Sequence, residues 1–153
     1  MTHKIFLASD HAGFELKNHL VKFLSKKYDV VDVGPHKFNV KDDYPDYVIP
    51  CAEKVVKNKG FGIVIGKTGE GEAIAANKVK GVRAVVYYGG SKKILQLSRE
   101  HNDANVLSLG AEFISKSIAL NFVNLWINKR FSKDKRHVRR LNKIDKYESR
   151  ERK

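Results

Sequence analysis

Residues 61–76 read FGIVIGKTGEGEAIAA, and this stretch decides the fold of the 153-residue chain. Residues 61–65 form a continuous apolar run, which predicts a strand with both faces covered. Three glycines then break the chain within the loop 66–71, and the alanines that follow predict a short helix through Ala76. A buried strand that turns through a glycine loop into a helix is typical of a parallel sheet with crossover helices.

The same alternation of strand and helix runs along the rest of the chain. Four further apolar runs of strand length lie at residues 4–9, 30–33, 82–88 and 106–109. Four amphipathic stretches with apolar residues at near-helical spacing lie at residues 14–27, 46–58, 91–101 and 115–128. A last helix is expected to begin near Asp134. This order predicts a three-layer α/β/α domain, a doubly wound, Rossmann-like fold around a five-stranded parallel sheet.

Length and composition limit the class of protein. A chain of 153 residues with 42% hydrophobic residues suits one ordinary globular domain. We find no apolar run that could span a bilayer, no signal-peptide pattern, and a lone Cys51 that cannot form an internal disulfide. We therefore expect a single domain over residues 1–153, in the cytoplasm and without a membrane partner.

The formal net charge of +13 has two interpretations. Much of the excess lies in a basic helix or tail from about residue 132, which suits a solvated, highly charged terminal helix. Strong positive charge also suits nucleic-acid binding. Because the sequence has no recognisable nucleic-acid motif, we expect no nucleic-acid partner. Phosphate binding by one or two arginines of the tail is compatible with a solvated helix.

The predicted fold gathers particular loops at one edge of the sheet. In a doubly wound sheet the strand-to-helix loops meet at the carboxyl ends of the strands. The loops expected there are residues 9–13, 44–45, 66–72 and 88–90. The polar segment 101–105 precedes a strand, so it belongs at the opposite edge of its own subunit. If this segment acts with the other loops, we expect a second subunit to bring it.

The glycine loop carries the clearest chemical pattern. Glycines can turn backbone N–H groups towards an oxyanion, although a simple tight turn explains them equally well. The spacing matches neither the GxGxxG dinucleotide fingerprint nor the Walker A pattern. Thr68 can donate a hydroxyl hydrogen bond and Glu72 can accept a proton, which favours an oxyanion site beside a general base.

Four separated segments resemble the type B ribose-5-phosphate isomerases, a family that includes the galactose-6-phosphate isomerase subunits. The segments are SDHAGFELK at 9–17, DYPDY at 43–47, IAANK at 74–78 and REHNDANVL at 99–107. The resemblance covers about residues 4–141. It implies a homodimer, sometimes paired into a dimer of dimers, with active sites shared between subunits and with no cofactor or metal.

The resemblance also implies roles for individual residues. His101 would open the sugar ring, and Thr68 would stabilise the enediolate together with the glycine loop. Contacts to the sugar phosphate would come from Asp10, His11, Tyr44, Gly66, Lys67, Gly69, Gly71 and Asn102. Arg136 and Arg140 would hold the phosphate, and their spacing of four places them on one helix face.

The identity of the catalytic base follows from two lines of reasoning. Many members of the family carry a cysteine base at the position of Gly66, whereas a second group uses a glutamate in the following loop, where Glu72 falls. The residues alone favour the same carboxylate, with the neighbouring Glu70 as its rival, and we interpret Cys51 as a packing residue. A helix N-terminus and Lys67 would both lower the pKa of Glu72, which suits a base poorly unless burial counters them.

The expected reaction is the interconversion of ribose 5-phosphate and ribulose 5-phosphate through an enediolate, in the pentose phosphate pathway. Three residues depart from the family pattern: Lys67 replaces a usual glycine, Glu70 replaces a small, apolar or amide residue, and Glu112 replaces a frequent phosphate-binding arginine. Another substrate, such as galactose 6-phosphate or allose 6-phosphate, therefore stays open. A basic nucleic-acid-binding protein is the alternative from a different class.

Overall fold

The computed structural model describes residues 4–150. Its strands, in chain order, are β1 (Lys4–Ser9), β2 (Asp29–Gly34), β3 (Phe61–Gly66), β4 (Ala84–Tyr87) and β5 (Val106–Gly110). Its helices are α1 (Phe14–Leu24), α2 (Pro45–Asn58), α3 (Glu70–Ala76), α4 (Lys92–Glu100), α5 (Lys116–Asn128) and α6 (Lys135–Glu148). Strand and helix alternate until α5, which α6 follows directly.

One parallel sheet with the strand order β2-β1-β3-β5-β4 organises the described chain. Every residue of the central strand β3 is buried, because helices cover both faces. The helices α1, α4 and α5 pack on one face, and α2 and α3 pack on the other. The predicted three-layer α/β/α fold is therefore confirmed.

The two largest boundary differences from the sequence prediction have local reasons. The helix α1 ends at Leu24 instead of residue 27, because the N–H groups of Lys27 and Tyr28 both donate to Leu24 O and close the chain into a turn. The strand β4 begins at Ala84 instead of residue 82. Gly81 adopts a φ of +84° and the N–H of Val82 donates to Val79 O, so the chain is still turning there.

Within residues 4–150, no helix combines the length and the apolar character that a membrane span requires. The basic tail forms α6, which packs on the domain through buried His137 and Leu141. Its far end is also anchored, since the N–H of Gly81 donates to Glu148 Oε2 at 2.9 Å. The tail is therefore a folded element with one solvated face.

Candidate active site

Glu72 is a buried carboxylate at the carboxyl edge of the sheet. It is the third residue of α3 and is only 4% exposed. Its carboxylate lies directly against Gly66, so that a Cβ atom on residue 66 would overlap the carboxylate oxygens. The space that a side chain at position 66 would need is thus filled by Glu72, and only glycine fits there beside it.

Burial raises the pKa of Glu72 above the ordinary carboxyl value. The negative charge of Asp10 raises it further, whereas the residue's own backbone N–H acts in the opposite direction. The prediction that Lys67 lowers the pKa of Glu72 is wrong. Lys67 extends into solvent, where its Nζ lies 3.6 Å from Glu112 Oε2. Desolvation therefore outweighs the helix N-terminus, and the carboxylate becomes a stronger base.

The glycine loop is held by hydrogen bonds to the end of β5 and the residues after it. The hydroxyl of Ser108 donates to Gly69 O at 2.6 Å. The N–H of Ala111 donates to Gly66 O at 2.8 Å, and that of Glu112 donates to Lys67 O at 3.1 Å. A loop whose carbonyls are engaged in this way can direct its N–H groups towards an anion.

Thr68 occupies the exposed tip of the glycine loop. Its Oγ1 accepts a hydrogen bond of 3.3 Å from the N–H of Glu70, the first residue of α3. The next residue, Gly69, has a φ of +85°, a left-handed conformation that favours glycine. The hydroxyl of Thr68 keeps its hydrogen for donation, as an oxyanion-binding role requires.

Tyr44 brings the loop 44–45 into contact with the glycine loop. It directly precedes α2, and its ring packs on Gly71, where a Cβ atom would lie 2.8 Å from the phenol carbon and oxygen. Asp10 completes this group from the end of β1. Its Oδ1 accepts hydrogen bonds from the N–H groups of Ala12 at 2.9 Å and Gly13 at 3.2 Å. The structure thus brings Asp10, Tyr44 and the glycine loop together around Glu72, whereas the Lys67 side chain extends away into solvent.

His11 has a partner that sequence reasoning missed. Its ring Nδ1 lies 2.7 Å from Asp42 Oδ1, and its backbone N–H donates to the same oxygen at 2.9 Å. This contact joins loops 31 positions apart, and no spacing pattern in the polar loop marks Asp42. Asp10, His11 and Asp42 offer ligand atoms within 4.8 Å of one another. The hydrogen bond between His11 and Asp42, and the backbone N–H groups of Ala12 and Gly13 that bind Asp10, account for this cluster, and we assign it no metal ion.

A second group of predicted residues lies at the amino edge of the sheet. His101 directly follows α4, and its ring stacks on that of His137 with 4.1 Å between centroids. His137 is 3% exposed, and burial, together with the positive charges of His101, Arg136 and Arg140, lowers its pKa. Sequence reasoning selected the two arginines and missed the buried histidine between them.

The amino-edge segment is held by a buried arginine. The Nη1 of Arg99 donates to Asp103 Oδ1 at 2.8 Å and to Ala104 O at 2.6 Å. Asn102 is exposed beside this anchor, next to His101. The segment is therefore rigid at its base and presents polar side chains to solvent.

The strand β5 separates the two groups within one chain. Segment 101–105 leads into its first residue, whereas its last residue, Gly110, packs against Thr68 O at the other end. Five residues of parallel strand span about 16 Å. As the sequence predicted, one chain places His101 at the edge opposite its own glycine loop.

The fold and these two groups define a doubly wound α/β domain with a basic carboxylate beside a glycine loop at one edge, and histidines and arginines at the other. The model of the Ribose/Galactose Isomerase family matches residues 5–144. The chain belongs to this family, and the family membership predicted from the sequence is confirmed.

Relatives of known name are similar over nearly the whole chain. The probable ribose-5-phosphate isomerase B of Mycoplasma genitalium is 44% identical over 151 residues, which cover 97% of each chain. Ribose-5-phosphate isomerase B of Mycobacterium tuberculosis is 36% identical over 147 residues, 95% of this chain and 90% of that one. The crystal structure of the Mycoplasma genitalium enzyme with bound ribulose 5-phosphate superposes with a TM-score of 0.90, at 43% identity and 97% coverage of each chain.

Proposed function

We propose that this chain interconverts ribose 5-phosphate and ribulose 5-phosphate. The observation that carries the proposal is the buried carboxylate of Glu72, which has a raised pKa and lies against Gly66 beside the glycine loop. Family membership and the similarity to named ribose-5-phosphate isomerases support the aldose–ketose isomerase class. The bound ribulose 5-phosphate of the Mycoplasma genitalium enzyme supports the choice of substrate.

The reaction needs a base that can carry a proton between adjacent carbons. Glu72 removes the proton from C2 of the open-chain aldose and returns it to C1 of the enediolate, while the hydroxyl proton passes from O2 to O1. Because its pKa is raised, Glu72 is a stronger base than an ordinary carboxylate and holds the proton longer once protonated. The loop N–H groups and the Thr68 hydroxyl stabilise the negative oxygen of the enediolate, which is the largest electrostatic requirement of the step.

The phosphate group is held by α6. Arg136 and Arg140 lie one helical turn apart on this helix and are both exposed. Planar guanidinium groups match phosphate oxygens in a bidentate geometry. The neighbouring His101 is then placed to open the sugar ring, with Asn102 as a further contact to the sugar.

We propose a homodimer in which one active site combines the Glu72 edge of one subunit with the His101 edge of the other. The separation of the two groups along β5 supports this arrangement, because neither group is complete by itself. Exposed apolar side chains on α3, α4 and the loops that follow β4 and β5 support a subunit contact there. These side chains are Ile74, Tyr88, Ile94 and Phe113, each at least half exposed.

A different sugar phosphate is favoured by one observation, the ion pair of Lys67 and Glu112 at the rim of the glycine loop. The resemblance places a glycine and frequently an arginine at these two positions, so the rim carries a different charge pattern here. Galactose 6-phosphate and allose 6-phosphate are the candidates, since both carry a phosphate and an aldehyde.

The test measures turnover of ribose 5-phosphate, allose 6-phosphate and galactose 6-phosphate in coupled assays, with a chelator and without added metal. We expect the highest kcat/KM for ribose 5-phosphate and no effect of the chelator. A higher value for a hexose phosphate would reassign the substrate. Absence of turnover for all three, together with tight salt-dependent RNA binding, would favour the nucleic-acid alternative that the charge of +13 raises.

A further inference from the structure

The loop between β2 and α2 places one acidic side chain, Asp42, against His11. Its Oδ1 accepts the backbone N–H of His11 at 2.9 Å and the ring Nδ1–H at 2.7 Å. The Asp42 side chain is 3% exposed, whereas that of His11 is 33% exposed. One carboxylate oxygen therefore fixes both the backbone and the ring of a residue in another loop.

The second oxygen of Asp42 shows that loop capping alone does not explain this residue. Oδ2 is buried and has no hydrogen-bond partner among residues 4–150. A buried carboxylate with one unsatisfied oxygen is costly unless a nearby positive charge compensates for it. A protonated His11 ring supplies such a charge, and hydrogen bonds between charged partners are stronger than neutral ones.

We propose that Asp42 is a positioning residue that holds the His11 ring so that Nε2–H is presented to an oxygen of the bound sugar phosphate. The inference deepens the proposed function and rests on it. With Nδ1 committed to Asp42, Nε2 on the far side of the ring is the nitrogen left for a ligand. Phe38 meets the same ring edge-on, at 6.5 Å between centroids and 87° between planes, which further limits its rotation.

The groups around His11 favour its protonated form. The hydrogen bond that the His11 ring donates to Asp42 is the main cause that raises the pKa of His11, and the charge of Asp10 adds to it, whereas burial acts in the opposite direction. Asp10 Oδ2 lies 4.0 Å from Nδ1. From α2, Tyr47 faces Asp42, and its own pKa is raised by burial and by that charge. From α3, Glu72 faces Asp10.

The first test is an NMR titration of the His11 ring, with the resonance assigned from its loss in His11→Gln. Asp42→Asn keeps the shape and the acceptor oxygen but removes the charge, so the pKa of His11 should fall. Asp46→Asn, which removes an equal charge from an exposed position on α2, should leave it unchanged. The same spectra report folding, and Asp42→Ser replaces Asp42→Asn if the latter does not fold.

The second test is the pH dependence of KM for ribose 5-phosphate. The ratio of KM in Asp42→Asn to KM in the native protein should be close to one near about pH 5, well below the ordinary histidine pKa of about 6.5, where both rings are protonated. It should rise to at least about threefold near about pH 8, since the variant ring loses its proton at a lower pH than the native ring. A merely structural role would raise the ratio equally at both pH values.

Two results would overturn the inference: an unchanged pKa of His11 in Asp42→Asn, or a lowered pKa with a KM ratio that does not depend on pH. Failure of the proposed function is a separate outcome. It would show as absence of turnover in the native protein, and the NMR titration, which needs no substrate, would then decide the Asp42–His11 contact independently.

Discussion

Replacing Glu72 by glutamine tests the proposed base most directly. The side chain is 4% exposed and fills the space beside Gly66, so an isosteric amide preserves the packing while it removes the proton acceptor. Loss of a positioned general base lowers the rate by about 10²–10⁴-fold. We therefore expect kcat of Glu72→Gln to fall by that order, with KM nearly unchanged, in the coupled assay with ribose 5-phosphate.

The matched control is Glu70→Gln. Glu70 lies two residues earlier on α3 and is exposed. At about 100° per residue the two side chains point about 200° apart, so Glu70 cannot take the place of Glu72. We expect Glu70→Gln to retain most of its activity. Equal losses in both variants, or a fully active Glu72→Gln, would refute the assignment.

The effect of Glu72→Gln on thermal stability provides a second test. Because the folded protein raises the pKa of Glu72, ionisation of this carboxyl costs folding free energy. The cost is absent below the pKa of the unfolded chain, grows as the pH rises towards the folded pKa, and is complete above it. Glu72→Gln should thus melt higher than the native protein at neutral pH, by about 2–4 °C per kcal/mol, and lose this advantage as the pH falls to about 4. A lower Tm at every pH would indicate a misfitting amide instead.

Three further predictions concern the phosphate, the shared site and the thiol. Arg136→Ala or Arg140→Ala should raise KM more for phosphorylated than for unphosphorylated sugars, because each removes a guanidinium that binds phosphate oxygens. Mixing inactive His101→Ala chains with inactive Glu72→Gln chains should restore up to about one quarter of native activity, since half of the random dimers carry one intact shared site. Alkylating reagents should leave turnover intact, because Cys51 is fully buried and burial raises its pKa to about 12.

Each of these predictions has a contrary result. An equal rise in KM for phosphorylated and unphosphorylated sugars would show that the two arginines do not bind the phosphate. Freely exchanging subunits that regain no activity would show that the sites are not shared. Loss of turnover in Cys51→Ser, with Glu72→Gln fully active, would indicate that the Cys51 thiol is the base.

The fold could be predicted from the sequence because apolar strand segments and amphipathic helix segments alternate regularly along it. The apolar run before Gly66 and the amphipathic stretches around it depend only on local order, and the parallel sheet follows from their alternation. Local order also placed Glu72 and His101 at opposite edges, since the edge of a loop is set by whether it follows or precedes a strand.

Contacts between distant loops could not be predicted in the same way. The hydrogen bond between His11 and Asp42 joins two loops whose separation along the chain follows no periodic pattern. His137 lies within a run of basic residues, which predicts a charged, solvent-exposed segment. Its ring is nevertheless buried against His101. The pKa of Glu72 depends on a balance between burial and the helix N-terminus, and only the three-dimensional packing decides that balance.

In this chain the space beside Gly66 can hold the Glu72 carboxylate or a side chain at position 66, but not both. The resemblance places the cysteine of other members at this position, at the end of β3. Here a Cβ atom on residue 66 would overlap the Glu72 carboxylate, so a cysteine there and Glu72 in its present conformation cannot coexist. The Glu72 carboxylate thus occupies the space at the end of β3 beside the glycine loop, where a side chain at position 66 would begin. The proposed base therefore requires glycine at position 66, because only a residue without a Cβ atom leaves that space to the carboxylate.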